Sequence, residues 1–247
     1  MTSNAAYRST AVWVATLWLL TAFGAIAGTG LMNSVLNAPD YLSTAFPGST
    51  TVIIGMLLWL INDFGIVLIG ILLFPILKMR SERMALTYLS MRMFEAIFLV
   101  VGVIFAMLLI PLGQEFIQGG ATDATSYQAL GSMLKQAEYW FMTPMQLIPL
   151  GLGGVVLTFF LYKTKLVPRS ISVVGLVGYG MLVPGTILTL LGILDISPGA
   201  PGSLMVIPVA AFEIILMPIW LYAKGFNPSA TTSELDKTAA NPLVNAG

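Results

Sequence analysis

Four ionisable side chains stand inside apolar stretches of this chain, and theirs is the chemistry that needs explaining. Asp63 follows Asn62 in the run 52–77, which is otherwise apolar. Arg92 and Glu95 lie three residues apart in the run 84–110, a spacing that puts both on one face of a helix. Glu213 stands alone in the run 204–224. Carboxylates grouped around a guanidinium can lock helices together, hold a polar ligand, or exchange a proton in transport or acid/base catalysis. Arginine stays charged and can take a carboxylate as a two-pronged fork. One guanidinium cannot offset three carboxylates, so at least one is expected to be neutral at pH 7. Glu213 is the candidate, because no basic residue lies in its own run before Lys224.

The elements that must position these groups are six stretches able to cross about 30 Å of hydrocarbon as helices. They are 11–32, 52–77, 84–110, 138–162, 170–194 and 204–224. Only 9% of the residues are charged, against about 25% in a soluble domain. With a mean hydropathy of +0.90, this indicates an all-α, polytopic integral membrane protein, a bundle of six transmembrane helices. Strict alternation of apolar and polar residues is absent, which argues against a barrel. At about 1.5 Å per residue, Asp63, Arg92, Glu95 and Glu213 fall in one layer within roughly 8 Å of the midplane.

Basic residues near the span ends set the expected orientation. Arg8, the group Lys78/Arg80/Arg83, the group Lys163/Lys165/Arg169, and Lys224 with Lys237 fall on one side. The other side carries Lys135 among Asp40, Glu115, Asp123, Glu138 and Asp195. Both termini are therefore expected to be cytoplasmic. Residues 1–226 read as one six-helix transmembrane domain and 227–247 as a disordered cytoplasmic tail. The first span has a core longer than a signal sequence's and reads as an uncleaved helix. Its Gly24-xxx-Gly28 invites close approach by another helix, within the chain or in a dimer.

The connection 112–137 reads as the one long external loop. In it Gly119-Gly120 is a break, and Asp123 caps a surface helix with Tyr127, Leu130, Leu134 and Phe141 on one face. Prolines 144, 149, 184, 208 and 218 interrupt the last three spans, each freeing a carbonyl four residues back. Such breaks either line a cavity or help packing. Val177-Gly178-Tyr179-Gly180 mimics part of a potassium filter, but Leu176 stands where threonine belongs. The stretch beginning Phe94-Glu95 resembles the one beginning Phe212-Glu213, as an inverted repeat would require.

The chain has no cysteine and no histidine. Thiolate chemistry, iron–sulfur clusters, histidine-ligated haem, most zinc sites and Ser-His catalysis are excluded. The fourteen methionines are scattered over apolar faces and read as packing. No lysine lies inside a span to carry a Schiff base, and no phosphate-binding or nucleophile-elbow motif occurs. No metal, cofactor or nucleic-acid partner is expected.

Several of these residues together resemble a known family. Asn62-Asp63, Arg92-xx-Glu95, Leu161-Tyr162 with Leu166-Val167-Pro168-Arg169, and Pro208, Glu213, Trp220-Leu221 and Lys224-Gly225 are similar to a bacterial multi-helix membrane family. It is the domain of unknown function 4386, and the resemblance covers the chain apart from its tail. It implies a multi-pass protein of the bacterial inner (plasma) membrane with about six helices. It brings no established activity, so no catalytic role passes to any residue here. The leading expectation is a site at Asn62, Asp63, Arg92, Glu95 and Glu213 that binds or moves a small or lipid-like ligand, with or without a coupled proton. The alternative is a structural or accessory subunit in which those charges hold helices together, and an intramembrane acid/base enzyme is the third. The expected partners are the lipid bilayer, such a ligand, and a second copy or larger membrane complex.

Overall fold

The computed structural model describes residues 2–119, 124–196 and 199–227, with no strand among them. Helix α1 (Thr2–Leu36) leads through a one-turn corner, α2 (Tyr41–Thr44), into α3 (Ser49–Lys78). Then come α4 (Glu82–Gly119) and α5 (Ala124–Trp140), the latter joined by a π-helical segment, Phe141–Met145, to α6 (Gln146–Thr164). After α7 (Arg169–Leu190) the last run is composite. It passes from a 3₁₀ turn (Pro201–Val206) to α8 (Ile207–Ala210), a π-helical segment (Ala211–Leu216) and α9 (Met217–Ala223).

Six of these runs are long and apolar enough to cross a membrane: Tyr7–Leu36, Ser49–Lys78, Glu82–Gly119, Ala124–Thr164, Arg169–Leu190 and Pro201–Ala223. The described residues are thus all-helical with six candidate spans, as expected. Helix α3 shows why lipid suits it. Ile54, Leu57, Ile61, Phe64, Leu68 and Ile71, spaced three and four apart, form one exposed apolar stripe. Water would reject such a face, while hydrocarbon accepts it where the backbone groups are bonded within the helix.

Several span ends differ from the sequence reading. The fifth span ends at Leu190 rather than 194, and Gly192 turns the chain with φ +71°. Helix α4 does not stop at Ile110 but continues through Pro111 to Gly119. Leu112 and Phe116 on that extension pack into a core, and bare Gly113 lets the Leu42 carbonyl approach, since a Cβ there would lie 2.7 Å from it. The expected helix after it exists, but Leu130 is 48% exposed. Gly131, seated on the ring of Tyr41, makes the contact instead, between Tyr127 and Leu134. Asp123, its expected cap, and the tail 228–247 lie outside the described residues.

The chain divides into two compact units, and helices contribute to both. The first takes Met1–Leu19, Ile66–Phe94 and Leu147–Gly247, the second Leu20–Gly65 and Glu95–Gln146. The first has a core around Trp18, Leu73, Tyr88, Leu157, Tyr179 and Phe212, the second around Met32, Met56, Val103, Ala106 and Leu109. In the second, Gly24 and Gly28 pack internally on α3. Their β-carbons would lie 2.5 Å from the Leu58 carbonyl oxygen and 2.7 Å from that of Gly55.

Both π-helical segments precede a proline at the spacing that frees a carbonyl inside them. Pro149 leaves Met145 without its donor, and Pro218 does the same to Ile214. A wider π turn is one way the helix absorbs such a loss. Prolines are not confined to the later spans, for Pro75 and Pro111 lie inside α3 and α4.

Contacts at one end of the first unit gather its basic loops. Tyr7 Oη donates to Met79 Sδ (3.2 Å), and Arg8 donates to the carbonyls of Leu221 (3.3 Å) and Tyr222 (2.5 Å). The Asn227 amide donates to the Leu166 carbonyl at 2.9 Å. Arg8 thereby adds a side-chain donor at the C-terminal carbonyls of α9, of which that of Leu221 also accepts from the Gly225 N–H.

Candidate functional site

The site grows from the π-helical segment Ala211–Leu216, which carries Glu213. In the first unit, Arg92 of α4 reaches across 121 residues of sequence to place Nη2 2.7 Å from Glu213 Oε1. Tyr179 of α7 donates its hydroxyl to the same oxygen at 2.5 Å. Behind the guanidinium, Arg92 Nε donates to Tyr88 Oη at 3.1 Å, one turn back on α4, and the cation sits 5.4 Å from the Tyr88 ring centre. Arg92 is 2% exposed, and Tyr88 and Tyr179 are fully buried, whereas the Glu213 side chain is 21% exposed.

Small residues let these side chains converge. Gly70 of α3 faces α4 where a β-carbon would lie 3.5 Å from Arg92 Cβ and 3.0 Å from Leu89. Gly154 of α6 lies directly against the Tyr179 ring. Gly178 brings α7 against α8, its missing β-carbon 2.9 Å from the Val209 nitrogen. The Phe212 ring meets Tyr179 edge-on at 5.7 Å and Trp18 at 6.0 Å, fixing the phenol from the far side. Val177-Gly178-Tyr179-Gly180 is thus continuous helix and no filter loop, and its glycine and tyrosine are used for packing and for holding Glu213.

The geometry leaves half of the carboxylate open. Both donors converge on Oε1, and Oε2 takes no hydrogen bond from any described residue. An ionised carboxylate has about four acceptor sites, so this one keeps capacity for a further donor.

Four of the five expected residues, Asn62, Asp63, Arg92 and Glu95, are buried, and Glu213 is partly exposed. Arg92 and Glu213 belong to the first unit, and Asn62, Asp63 and Glu95 to the second. Asn62 Nδ2 donates to Asp63 Oδ1 at 3.2 Å, while Asp63 Oδ2 is buried without a hydrogen-bond partner among the described residues. Glu95 is 4% exposed. Glu213 was the expected neutral carboxylate because no basic residue precedes Lys224 in its own run, and its cation, Arg92, comes from another helix. The stretches beginning Phe94-Glu95 and Phe212-Glu213 also fold differently, the first as regular α-helix and the second as a π segment. Tyr88 and Tyr179 escaped the sequence reading as site residues. Tyr88, four residues before Arg92 on one helix face, was detectable from spacing. Tyr179 was not.

No described Asp or Glu group has the makings of a metal site. Residues 14–225 match the family described as domain of unknown function DUF4386. The chain belongs to that family. Comparison with curated proteins and with solved structures gave no match. In this DUF4386 chain the matched region contains every residue of the Tyr88–Arg92–Glu213–Tyr179 constellation.

Proposed function

We propose that this protein is a multi-pass protein of the bacterial inner membrane, both termini cytoplasmic, that binds a small or lipid-like molecule at Glu213 and can exchange a proton there. One observation carries the ligand reading. Glu213 is anchored through Oε1 by two buried donors, while Oε2 has no hydrogen-bond donor among the described residues and the side chain is 21% exposed. A carboxylate placed only to lock helices would turn both oxygens to protein donors, since unpaired acceptor capacity in hydrocarbon is unfavourable. Charges inside spans commonly mark ligand or proton paths. The fitting ligand carries a hydroxyl or ammonium donor on an apolar body. The orientation rests on the gathering of Arg8, Lys165 and Lys224 at one end of the first unit.

The test is modification by an apolar carbodiimide, which reaches carboxyl groups inside membranes, followed by peptide mass spectrometry across a pH series. Modification at Glu213, lost in Glu213→Gln, supports an accessible site. A Glu213 that stays unreactive at every pH in the folded protein would sink it. The second reading, a structural ion pair, draws on the near-complete burial of Arg92 and would then stand.

A further inference from the structure

A second site lies at the opposite kind of position, the ends of spans rather than the middle of one. In the first unit a cavity of about 640 Å³ is lined by Lys165, Arg169, Trp220, Lys224 and Asn227, with Val167, Pro168 and Gly225 completing its wall. Three of these residues are cations and none is acidic. Like charges converging on one cavity repel, and an anion between them turns that repulsion into attraction.

The backbone around the cavity is specialised. Lys165 ends α6 in the left-handed region, φ +58°, where glycine is the less strained choice. The chain accepts that strain and keeps a lysine side chain there. Gly225 ends α9 in the same region, φ +69°. Asn227 ties the two ends together, its amide N–H bonded to the Leu166 carbonyl. Helix α7 starts at Arg169 without a side-chain cap or an acidic residue in its first turn, so its free N–H groups add to the positive field. Trp220 Nε1 is buried without a hydrogen-bond partner among the described residues, on a side chain that lines the cavity.

We propose that this cavity binds a phosphate group, and that the source is an anionic phospholipid headgroup. The position decides between sources. Lys165 and Arg169 flank the ends of the fourth and fifth candidate spans, at Thr164 and Arg169, and Lys224 follows the sixth, which ends at Ala223. A group held there lies at headgroup level with its acyl chains directed along apolar helix surface, as in basic pockets between membrane helices.

The experiment is thermal melting of the detergent-purified full chain titrated separately with phosphatidylglycerol, phosphatidylcholine and inorganic phosphate. The variants are Lys165→Ala, Lys224→Ala and, as a control of equal charge loss outside the cavity, Lys163→Ala. All three lysines are exposed, so their removal leaves the core intact. The expected result is a saturable rise in Tm with phosphatidylglycerol and none with phosphatidylcholine. That rise is lost in Lys165→Ala and Lys224→Ala and kept in Lys163→Ala. An equal rise with inorganic phosphate, lost in the same variants, would overturn the headgroup and assign a soluble phosphate. Absence of any rise, or a rise that survives both cavity variants, overturns the site.

Discussion

Gly154 lies against the ring of Tyr179 so closely that a β-carbon on it would fall among the ring atoms. The phenol that holds Glu213 is therefore positioned by a hydrogen atom on another helix. Gly154→Ala must displace the ring, and overpacking of this kind destabilises by about 1–3 kcal/mol. Gly180, one residue beyond Tyr179, has nothing within 4 Å of its β position. There an alanine should be neutral or raise stability by up to about 1 kcal/mol through helix propensity. Melting of the two variants in one detergent compares them, and equal Tm values would show that the Gly154 contact is absent.

Arg92→Leu should be among the most damaging single changes. It leaves Glu213 without its cation, and breaking a buried ion pair destabilises by on the order of 3–5 kcal/mol. Since Glu213 is partly exposed, the lower end of that range is expected. Arg83→Leu, at an exposed position, should melt like the wild type. The double variant Arg92→Leu/Glu213→Leu should recover much of the loss, because it removes both charges. No recovery would mean that Arg92 acts through groups other than Glu213.

Tyr179→Phe keeps the edge-on contact with Phe212 and removes only the donor to Glu213. A hydrogen bond to a charged group is worth about 1.5–3 kcal/mol, so Tm should fall less than in Arg92→Leu. Carbodiimide modification of Glu213 should become faster, because Oε1 loses one of its two donors. An unchanged rate would show that Tyr179 does not control access to the carboxylate.

The chain lacks cysteine, so single cysteines report topology without background. Ser126→Cys on α5 and Ser81→Cys between α3 and α4 stand on opposite sides of the proposed arrangement. In intact cells an impermeant thiol reagent should label position 126 and leave position 81 untouched until the membrane is opened. Labelling in the reverse order would place both termini outside.

How much of this was legible in advance differs between the spans and the site. The span starting near residue 52 is nearly all apolar, and its backbone must bond within itself, so composition and length were enough to find it. The extension of α4 past Pro111 was not legible. A proline reads as a stop, and what carries the helix onward is a tertiary contact, Leu112, Gly113 and Phe116 against a core containing Leu42. Periodicity puts Leu130 on one face with Tyr127 and Leu134, yet Leu130 is exposed and Gly131 makes the contact, because the Tyr41 ring occupies the space a side chain would need.

By itself the sequence determined the membrane class, the six spans, the exclusion of cysteine and histidine chemistry, and the four ionisable residues that had to be accounted for. Each follows from the composition of a short window, since hydrophobic transfer and helix hydrogen bonding act locally. Only the tertiary structure chose Glu213 as a partner of Arg92. That choice depends on which way Glu213 faces, and the π segment Ala211–Leu216 rotates the helix out of its 3.6-residue period just there. It depends also on Gly70, Gly154 and Gly178, whose missing side chains admit Arg92 and Tyr179. A partner 121 residues away is selected by such clearances, and no spacing within one helix records them.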